Sequence, residues 1–526
     1  MHCKGDKNMD YSSLLQSSMN EAKTGNGATT YRNTENPNLD LFYRAGGYRS
    51  NDYYDTKSVS NEDYIVMFKR ALQQDANLAI RNLLNIRDFR HDGKGERKLF
   101  RVLLTSLADS YTANGDGYNP YFVGLVLTGA IQELGRWDDL IYAYAHTTSN
   151  TSKAVVVDAI SSELGKIVYE GKKSLLPKWL PTNTRNKEVY ATAKKLAKDL
   201  GYSNYSEYRK AVSALRKPLN LIETSLTTKN YDAIEIAHIP SRAFKKYQTA
   251  LFTHKEQDMK SFLDDVKSGK KKVKVTGLTP NEIIKPYTGI AGWNYQEPDT
   301  DENQDAVIEA QWKAMVDDSP ELDNTLVMAD VSGSMYGTPI TVSVSLAILF
   351  AQAAKGAFKN KFMVFSTDPN FVDIPEKASL KEAVSCVMRA EWKYGSTDID
   401  KAFKKVLQVA VDNHVPQEDI PKRIVIISDM QFNSSYEPGV KELPHIKAWK
   451  AKFEEYGYKL PDLVYWNVSS YDNAPATQYE KDVALVSGFT PNTIKAVIES
   501  EDFTPEAVMH RALEKPEYDY ADFVTK

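Results

Sequence analysis

The chain has 526 residues, several times the roughly 100–200 of a single-core domain, so two or more domains are expected, each burying its own core. Its 42% hydrophobic and 26% charged residues, and a net charge of −4 from 66 basic and 70 acidic side chains, exclude disorder as the main state. Two cysteines, Cys3 and Cys386, exclude a disulfide framework and a cysteine-built zinc site. No run approaches the ~18 apolar residues of a membrane span, and Met1 to Asp10 lacks a signal-peptide core, so a cytoplasmic protein with no membrane partner is expected.

Residues 1–63, rich in Asn, Ser, Gly, Tyr and Asp, read as an irregular N-terminal arm with one apolar-aromatic anchor, Leu39 to Tyr48. Helical spacing begins at Tyr64, with Ile65, Phe68, Ala71 and Leu72. It returns at Leu99, Phe100, Leu103, Leu104 and Leu107, and at Phe122, Leu125, Val126, Gly129 and Leu134. Turns such as His91-Asp92-Gly93 separate these runs, and further helices are predicted over 160–168, 190–200, 205–215 and 257–266. Short helices joined by polar turns make 64–296 a solenoid-like helical-repeat domain, although no fixed repeat length emerges. Residues 297–321, poor in aliphatics, read as a connector.

A different pattern fills 322–500. Strands are predicted at Leu326–Ala329, Lys361–Phe365, Ile424–Ile427 and Leu463–Trp466, and helices at Ile340–Ala354, Leu380–Ala390, Ile399–Val411 and Pro491–Ser500. Strands alternating with crossover helices imply a doubly wound, mostly parallel sheet of Rossmann-like α/β type, with ligand sites at the carboxyl ends of its strands. Residues 501–526 are left as a C-terminal tail.

The strongest chemical signal follows the first of these strands, at Asp330-Val331-Ser332-Gly333-Ser334. Alternate residues there carry a carboxylate and two hydroxyls, and Gly333 permits the tight turn. Thr397 in Tyr394-Gly395-Ser396-Thr397-Asp398 and Asp429 after Ile424–Ser428 occupy equivalent strand-end positions. Asp330, Ser332, Ser334, Thr397 and Asp429 thus form a hard-oxygen donor set suited to Mg²⁺ or another divalent cation. With neutral hydroxyls, the metal would keep Lewis acidity toward an acidic ligand from outside. The alternative is a vestigial site that only closes the loops.

These segments resemble the von Willebrand factor A domain and its metal-ion-dependent adhesion site, over Leu322 to about Ser500. With a helical domain in front, the whole chain resembles the Ro autoantigen family, a TROVE ring of HEAT-like helical repeats closed by a von Willebrand A domain. The resemblance rests on Leu326–Met335, Gly395–Asp398, Ile424–Phe432 and, in the diverged helical half, Ala214-Leu215-Arg216-Lys217. The chain is also similar to a broad uncharacterised family of viral and cellular proteins of the same layout, through Arg87–Arg97, Gly135-Arg136-Trp137-Asp138-Asp139 and Lys178-Trp179-Leu180-Pro181. What the Ro resemblance implies is binding of structured or misfolded RNA with single-stranded ends, without catalysis.

Charge distribution bears on that implication independently. From Lys166 to Lys217 there are 13 basic and four acidic residues, about +9 locally, against −4 for the whole chain. Lys172, Lys173, Lys178, Arg185, Lys187, Lys194, Lys195, Arg209, Lys210, Arg216 and Lys217 are the candidate RNA contacts, and Tyr190, Tyr202, Tyr205 and Tyr208 among them are candidate base platforms. The bland readings are a solvated lysine face and tyrosines packed in a helical core. Lys267 to Lys274 reads as an exposed turn. Gly93-Lys94-Gly95 lacks the strand and spacing of a phosphate loop and reads as a helix start.

Two other function classes remain. One is a protein-interaction adaptor whose metal captures a partner's carboxylate, with no RNA. The other, a metal-dependent hydrolase, is disfavoured because no His or Lys is placed by sequence as a general base.

Overall fold

The structure, a computed structural model, describes residues 19–51, 60–110, 129, 133–183, 185–288, 300–390, 395–434, 444–469, 471 and 473–523. Most of the helix predicted from Phe122 to Leu134 lies outside the described residues, as do Cys3 and Tyr394.

Among the described residues the first sheet element is a hairpin of β1 (Glu21–Lys23) and β2 (Thr29–Tyr31). Helices α1 (Pro37–Ala45), α2 (Asn61–Gln74), α3 (Ala76–Arg87), α4 (Arg97–Asp109), α5 (Trp137–His146), α6 (Asn150–Tyr169) and α7 (Leu176–Trp179) follow. Next come α8 (Lys187–Asp199), α9 (Tyr205–Arg216), α10 (Ile222–Thr227), α11 (Ser241–Lys267), α12 (Pro280–Thr288) and α13 (Glu302–Asp318). Local chemistry sets many of the starts. Ser60 and Asp63 form a reciprocal capping box on α2, and Asn186 and Asn204 accept backbone N–H groups at the starts of α8 and α9.

Apolar faces at helical spacing then pack neighbour on neighbour. Tyr64, Phe68, Leu83, Leu99 and Leu103 share one core, and Trp137, Tyr144, Ile160, Leu196 and Tyr208 the next. Ile222, Ile236, Phe244, Met259 and Phe262 form a third. Each core joins helices close in sequence, with Tyr518 added to the first, the logic of a stacked helical array.

The C-terminal region is built on a mixed sheet of six strands. They are β4 (Thr325–Asp330), β6 (Lys361–Phe365), β7 (Asn370–Asp373), β8 (Arg423–Ser428), β9 (Asp462–Asn467) and β10 (Val483–Ser487); β3 (Leu322–Asp323) and β5 (Ala354–Lys355) pair separately. The order is β10-β9-β8-β4-β6-β7, parallel throughout except for the antiparallel edge strand β7. Val327, Ala329, Val425, Ile427, Val464 and Trp466 face one core, while their sequence neighbours Leu326, Met328, Ile424, Ile426, Leu463 and Tyr465 face another. This period-2 split between two apolar faces requires helices on both sides. Helices α14 (Thr338–Ala353), α15 (Leu380–Arg389), α18 (Ile494–Glu499) and α19 (Pro505–Leu513) cover the first face, and α16 (Ile399–Asp412) and α17 (His445–Glu455) the second.

Several elements differ from the sequence expectation. The stretch read as a connector contains the 17-residue helix α13, whose Ile308, Trp312 and Met315 are buried in the sheet-domain core. Its few large apolar residues fall at spacings of four and three, which puts them on one face despite the low aliphatic content. The segment read as an irregular arm holds the β1–β2 hairpin and α1. Leu39 and Phe42 enter one sheet-domain core, and Ala28 and Tyr43 the other. Strands β7 and β10 and helix α17 were not expected. At the other end, Tyr518 donates to Asp88 Oδ2 at 2.9 Å, tying the tail back to the helical region.

Candidate metal site and basic surfaces

The chain turns first to β6 on one side of β4 and later to β8 on the other, so the carboxyl ends of β4 and β8 flank a topological switch point. Asp330 ends β4 and Asp429 immediately follows β8; both are fully buried. Ser332 N–H donates to Asp330 Oδ1 at 2.9 Å and Ser428 Oγ to Asp330 Oδ2 at 2.5 Å, which fixes the carboxylate's rotation. Ser332 Oγ lies 3.3 Å from Ser334 Oγ.

Backbone bonds draw the other two loops onto this one. Gly333 N–H donates to Gly395 O at 3.2 Å, Asp398 N–H to Ser366 O at 3.0 Å, and Asn433 N–H to Thr397 O at 3.0 Å. Thr397 is buried, whereas Gly333, Ser334, Gly395 and Ser396 form an exposed rim. Met430, next to Asp429, has a φ of 64°, a left-handed conformation that non-glycine residues hold only when their surroundings enforce it.

The enforcement comes partly from the N-terminal hairpin, which the sequence did not connect with the site. Thr24 Oγ1 donates to Phe432 O at 2.6 Å, Asn26 Nδ2 to Gln431 O at 2.6 Å, and Gly25 N–H to Gln431 Oε1 at 2.8 Å. The loop after Asp429 is thus clamped by residues some 400 positions away.

Burial, followed by the charge of Asp429, pushes the Asp330 carboxyl up to about 7; hydrogen bonds from Ser332 and Ser428 oppose the shift. Two like charges in a buried space are unfavourable unless a proton or cation offsets them. Hydroxyls and carboxylates around that space fit a small hard cation, with Asp330, Ser332, Ser334, Thr397 and Asp429 as the residues that would hold it. Among the described residues no three His, Cys, Asp or Glu side chains cluster to hold a metal, and a cation bound here would rest on hydroxyls plus two acids.

A histidine does stand near the second loop. His445 Nδ1 lies 2.8 Å from Asp400 Oδ1, which also accepts Trp449 Nε1 at 2.6 Å. This buried network ties α17 to the first turn of α16.

The basic candidates separate by their contacts. Lys172 pairs with Glu163 at 2.9 Å and Lys178 with Glu223 at 3.2 Å. Arg216 is bound into the fold: its Nε donates to Pro177 O at 2.7 Å, Nη1 to Thr182 Oγ1 at 2.9 Å and Nη2 to Leu180 O at 2.6 Å. Lys194 sits 4.4 Å from the Tyr190 ring centroid and Lys195 5.7 Å from that of Tyr144. Lys173, Arg185, Lys187, Arg209, Lys210 and Lys217 are exposed and show no ion pair among the described residues. Arg209, Lys210, Arg216 and Lys217 border one depression of about 490 Å³. Of the tyrosines, Tyr208 is buried and donates to Pro181 O, and Tyr190 packs edge-on against Tyr205, so this set builds the core between α8 and α9.

Lys94 is not part of a phosphate loop. Its buried ammonium donates to Ser487 O at 3.0 Å and lies 4.0 Å from the Phe42 ring centroid, joining the helical region to the end of β10. Beside it, between helical region and sheet domain, is a cavity of about 980 Å³ whose lining includes six arginines. The sequence reading did not single it out as a site, although two segments quoted for family resemblance, Arg87–Arg97 and Gly135–Asp139, contribute to its wall.

Residues 324–522 match a family model described as Domain of unknown function (DUF7788), and residues 172–322 one described as Domain of unknown function (DUF2828). The chain is similar to Uncharacterized protein L728 of Acanthamoeba polyphaga mimivirus, 27% identical over 534 residues, covering 93% of this chain and 87% of the relative. Among solved structures it is similar to the Deinococcus radiodurans RO (RSR) protein, with 14% identity, 91% of this chain and 99% of that one covered, and a TM-score of 0.44.

Proposed function

We propose that the chain is a non-catalytic RNA-binding protein of Ro type, whose helical region carries the RNA and whose C-terminal region is a von Willebrand A domain with an Mg²⁺ adhesion site. The observation that carries the reading is the group of exposed cations Arg185, Lys187, Arg209, Lys210 and Lys217. They have no carboxylate partner among the described residues, in a chain whose net charge is −4. Elsewhere some exposed lysines pair, as Lys361 does with Asp373 and Lys401 with Asp368, while others, such as Lys229, Lys313 and Lys377, show no ion pair among the described residues. A phosphate backbone laid across the α8–α9 surface would supply the missing charge and release counterions.

The bound metal would supply a Lewis-acidic coordination position for an oxygen ligand from a partner. The rim of Ser334, Gly395 and Ser396 is exposed there, and this favours the second reading, an adaptor that captures an acidic protein ligand.

The test of the first reading is binding of a labelled structured RNA with a free single-stranded 3′ end over a salt series. Wild type is compared with a Lys187→Gln, Arg209→Gln, Lys210→Gln variant. Three lost phosphate contacts should weaken binding and flatten the log–log salt slope by about 2 to 3. Equal slopes, or no binding at low salt, would leave the adaptor as the function.

A further inference from the structure

The geometry points to a second ligand site: we propose that the cavity between the helical region and the sheet domain binds a small molecule carrying two or more phosphoryl groups. The proposal stands on different residues from the RNA reading and does not depend on it.

Its walls are drawn from distant parts of the chain. Arg90, Arg97 and Arg136 come from the turns around α3, α4 and α5, Arg242 from α11, Arg49 from the segment after α1, and Lys495 from α18. In all, eight lysines and arginines line it against three carboxylates, Glu96, Glu282 and Asp318. Part of that charge is answered locally, by Arg49–Glu96 at 2.5 Å, Arg242–Glu282 at 2.9 Å and, from outside the lining, Arg87–Asp139 at 2.7 Å and Lys495–Asp92 at 2.8 Å. Arg97 lies 3.6 Å from Asp138, and Arg136 has no ion pair among the described residues. Glu96 contributes less negative charge than its type suggests, because burial raises its carboxyl to about 7.

The arginines are held rather than loose. The guanidinium carbons of Arg87, Arg90 and Arg136 lie 4.9, 5.2 and 5.0 Å from the centroid of the single Phe89 ring, and Arg136 also lies 5.3 Å from that of Trp179. Like charges gathered around one phenyl ring repel, and burial together with neighbouring arginines holds the Arg90, Arg97 and Arg136 guanidinium groups below their ordinary range. Such an arrangement is unfavourable without an anion and favourable with one. A guanidinium fork binds two oxygens of a carboxylate or a phosphoryl group equally well, but a phosphoryl group carries more charge and a further oxygen, so each one can engage more than one of the gathered arginines. Cations spread over several walls call for more than one anionic group. A volume of about 980 Å³ is at the upper end of what small-ligand pockets enclose.

The experiment is calorimetric titration of the full chain with sodium tripolyphosphate, ATP and a 5′-triphosphorylated oligonucleotide at near-physiological ionic strength. The variants are Arg136→Met and Arg97→Gln, with Arg209→Gln/Lys210→Gln as a control outside the cavity. Expected are saturable binding of tripolyphosphate and ATP at one site per chain, a loss of about ten-fold or more in each cavity variant, and no change in the control. If Arg136→Met does not fold, Arg97→Gln decides, since its side chain is about half exposed. The proposal is overturned by no binding of either small ligand, by affinity unchanged in Arg97→Gln, or by binding of the oligonucleotide alone.

Discussion

Replacing Arg216 separates a residue that touches RNA from one that builds the surface. Its three donors reach Pro177 O, Thr182 Oγ1 and Leu180 O at 2.7, 2.9 and 2.6 Å, so one guanidinium organises the whole turn between α7 and α8. Hydrogen bonds to a charged group contribute about 1.5–3 kcal/mol each, but these share one side chain that is only half-buried and are not additive, so Arg216→Ala should cost about 3 kcal/mol. Leu180, 1% exposed, would be left with a carbonyl lacking its shortest donor. Arg216→Lys keeps the charge but not the fork, and should recover less than about 1 kcal/mol of that loss. Urea denaturation gives the free energies, and hydrogen exchange across 176–183 locates the effect. An Arg216→Ala destabilisation under about 0.5 kcal/mol, or full rescue of stability by Lys, would refute the structural assignment.

Three further outcomes follow from the geometry. Mg²⁺ at ten times its dissociation constant should stabilise the wild type by about 1.4 kcal/mol and leave Asp330→Asn and Asp429→Asn unmoved in thermal unfolding; a wild-type midpoint indifferent to Mg²⁺ would end the metal reading. Glu96, pushed by burial to about 7 against the opposing charges of Arg49 and Lys94, should make stability pH-dependent. Because its folded value is raised, its contribution is present below the unfolded value near 4.5 and is lost as pH rises through 7, about 3 kcal/mol in all. Glu96→Gln should flatten urea midpoints across that window, and an unchanged slope would count against the assignment. Gly46→Ala would put a Cβ 2.3 Å from Gly488 N, backbone against backbone where α1 meets the end of β10, and should cost about 3 kcal/mol or more by urea unfolding; a shift below about 1 kcal/mol would contradict it.

Much of the sheet domain was legible because its strands are short apolar runs bounded by turns. Leu326–Ala329, Ile424–Ile427 and Leu463–Trp466 each lie within an observed strand, and Lys361–Phe365 coincides with β6. Edge strand β7, with its alternating burial, carried too weak a pattern to be recognised. Helix α13 was missed for the opposite reason: a few large residues at the right spacing bury it, and composition averaged over the segment concealed them.

The candidate donors Asp330, Ser332, Ser334, Thr397 and Asp429 can be proposed from the sequence because alternate residues leaving a strand share a side and strand ends share an edge. Those are local rules of backbone geometry. Nothing local connects Thr24 to Phe432, Lys94 to Ser487, or Arg136 to Arg242, and the same is true of which lysines pair. Lys172 and Lys187 look alike in the chain, yet one finds Glu163 and the other no ion pair among the described residues. The sequence by itself determined the chemistry available, the central strands of the sheet and which strand ends carry oxygen-bearing side chains. Only tertiary packing decided which charges are neutralised, which arginines build structure, and where cations gather around a cavity, because those depend on distances between residues from nine to several hundred positions apart.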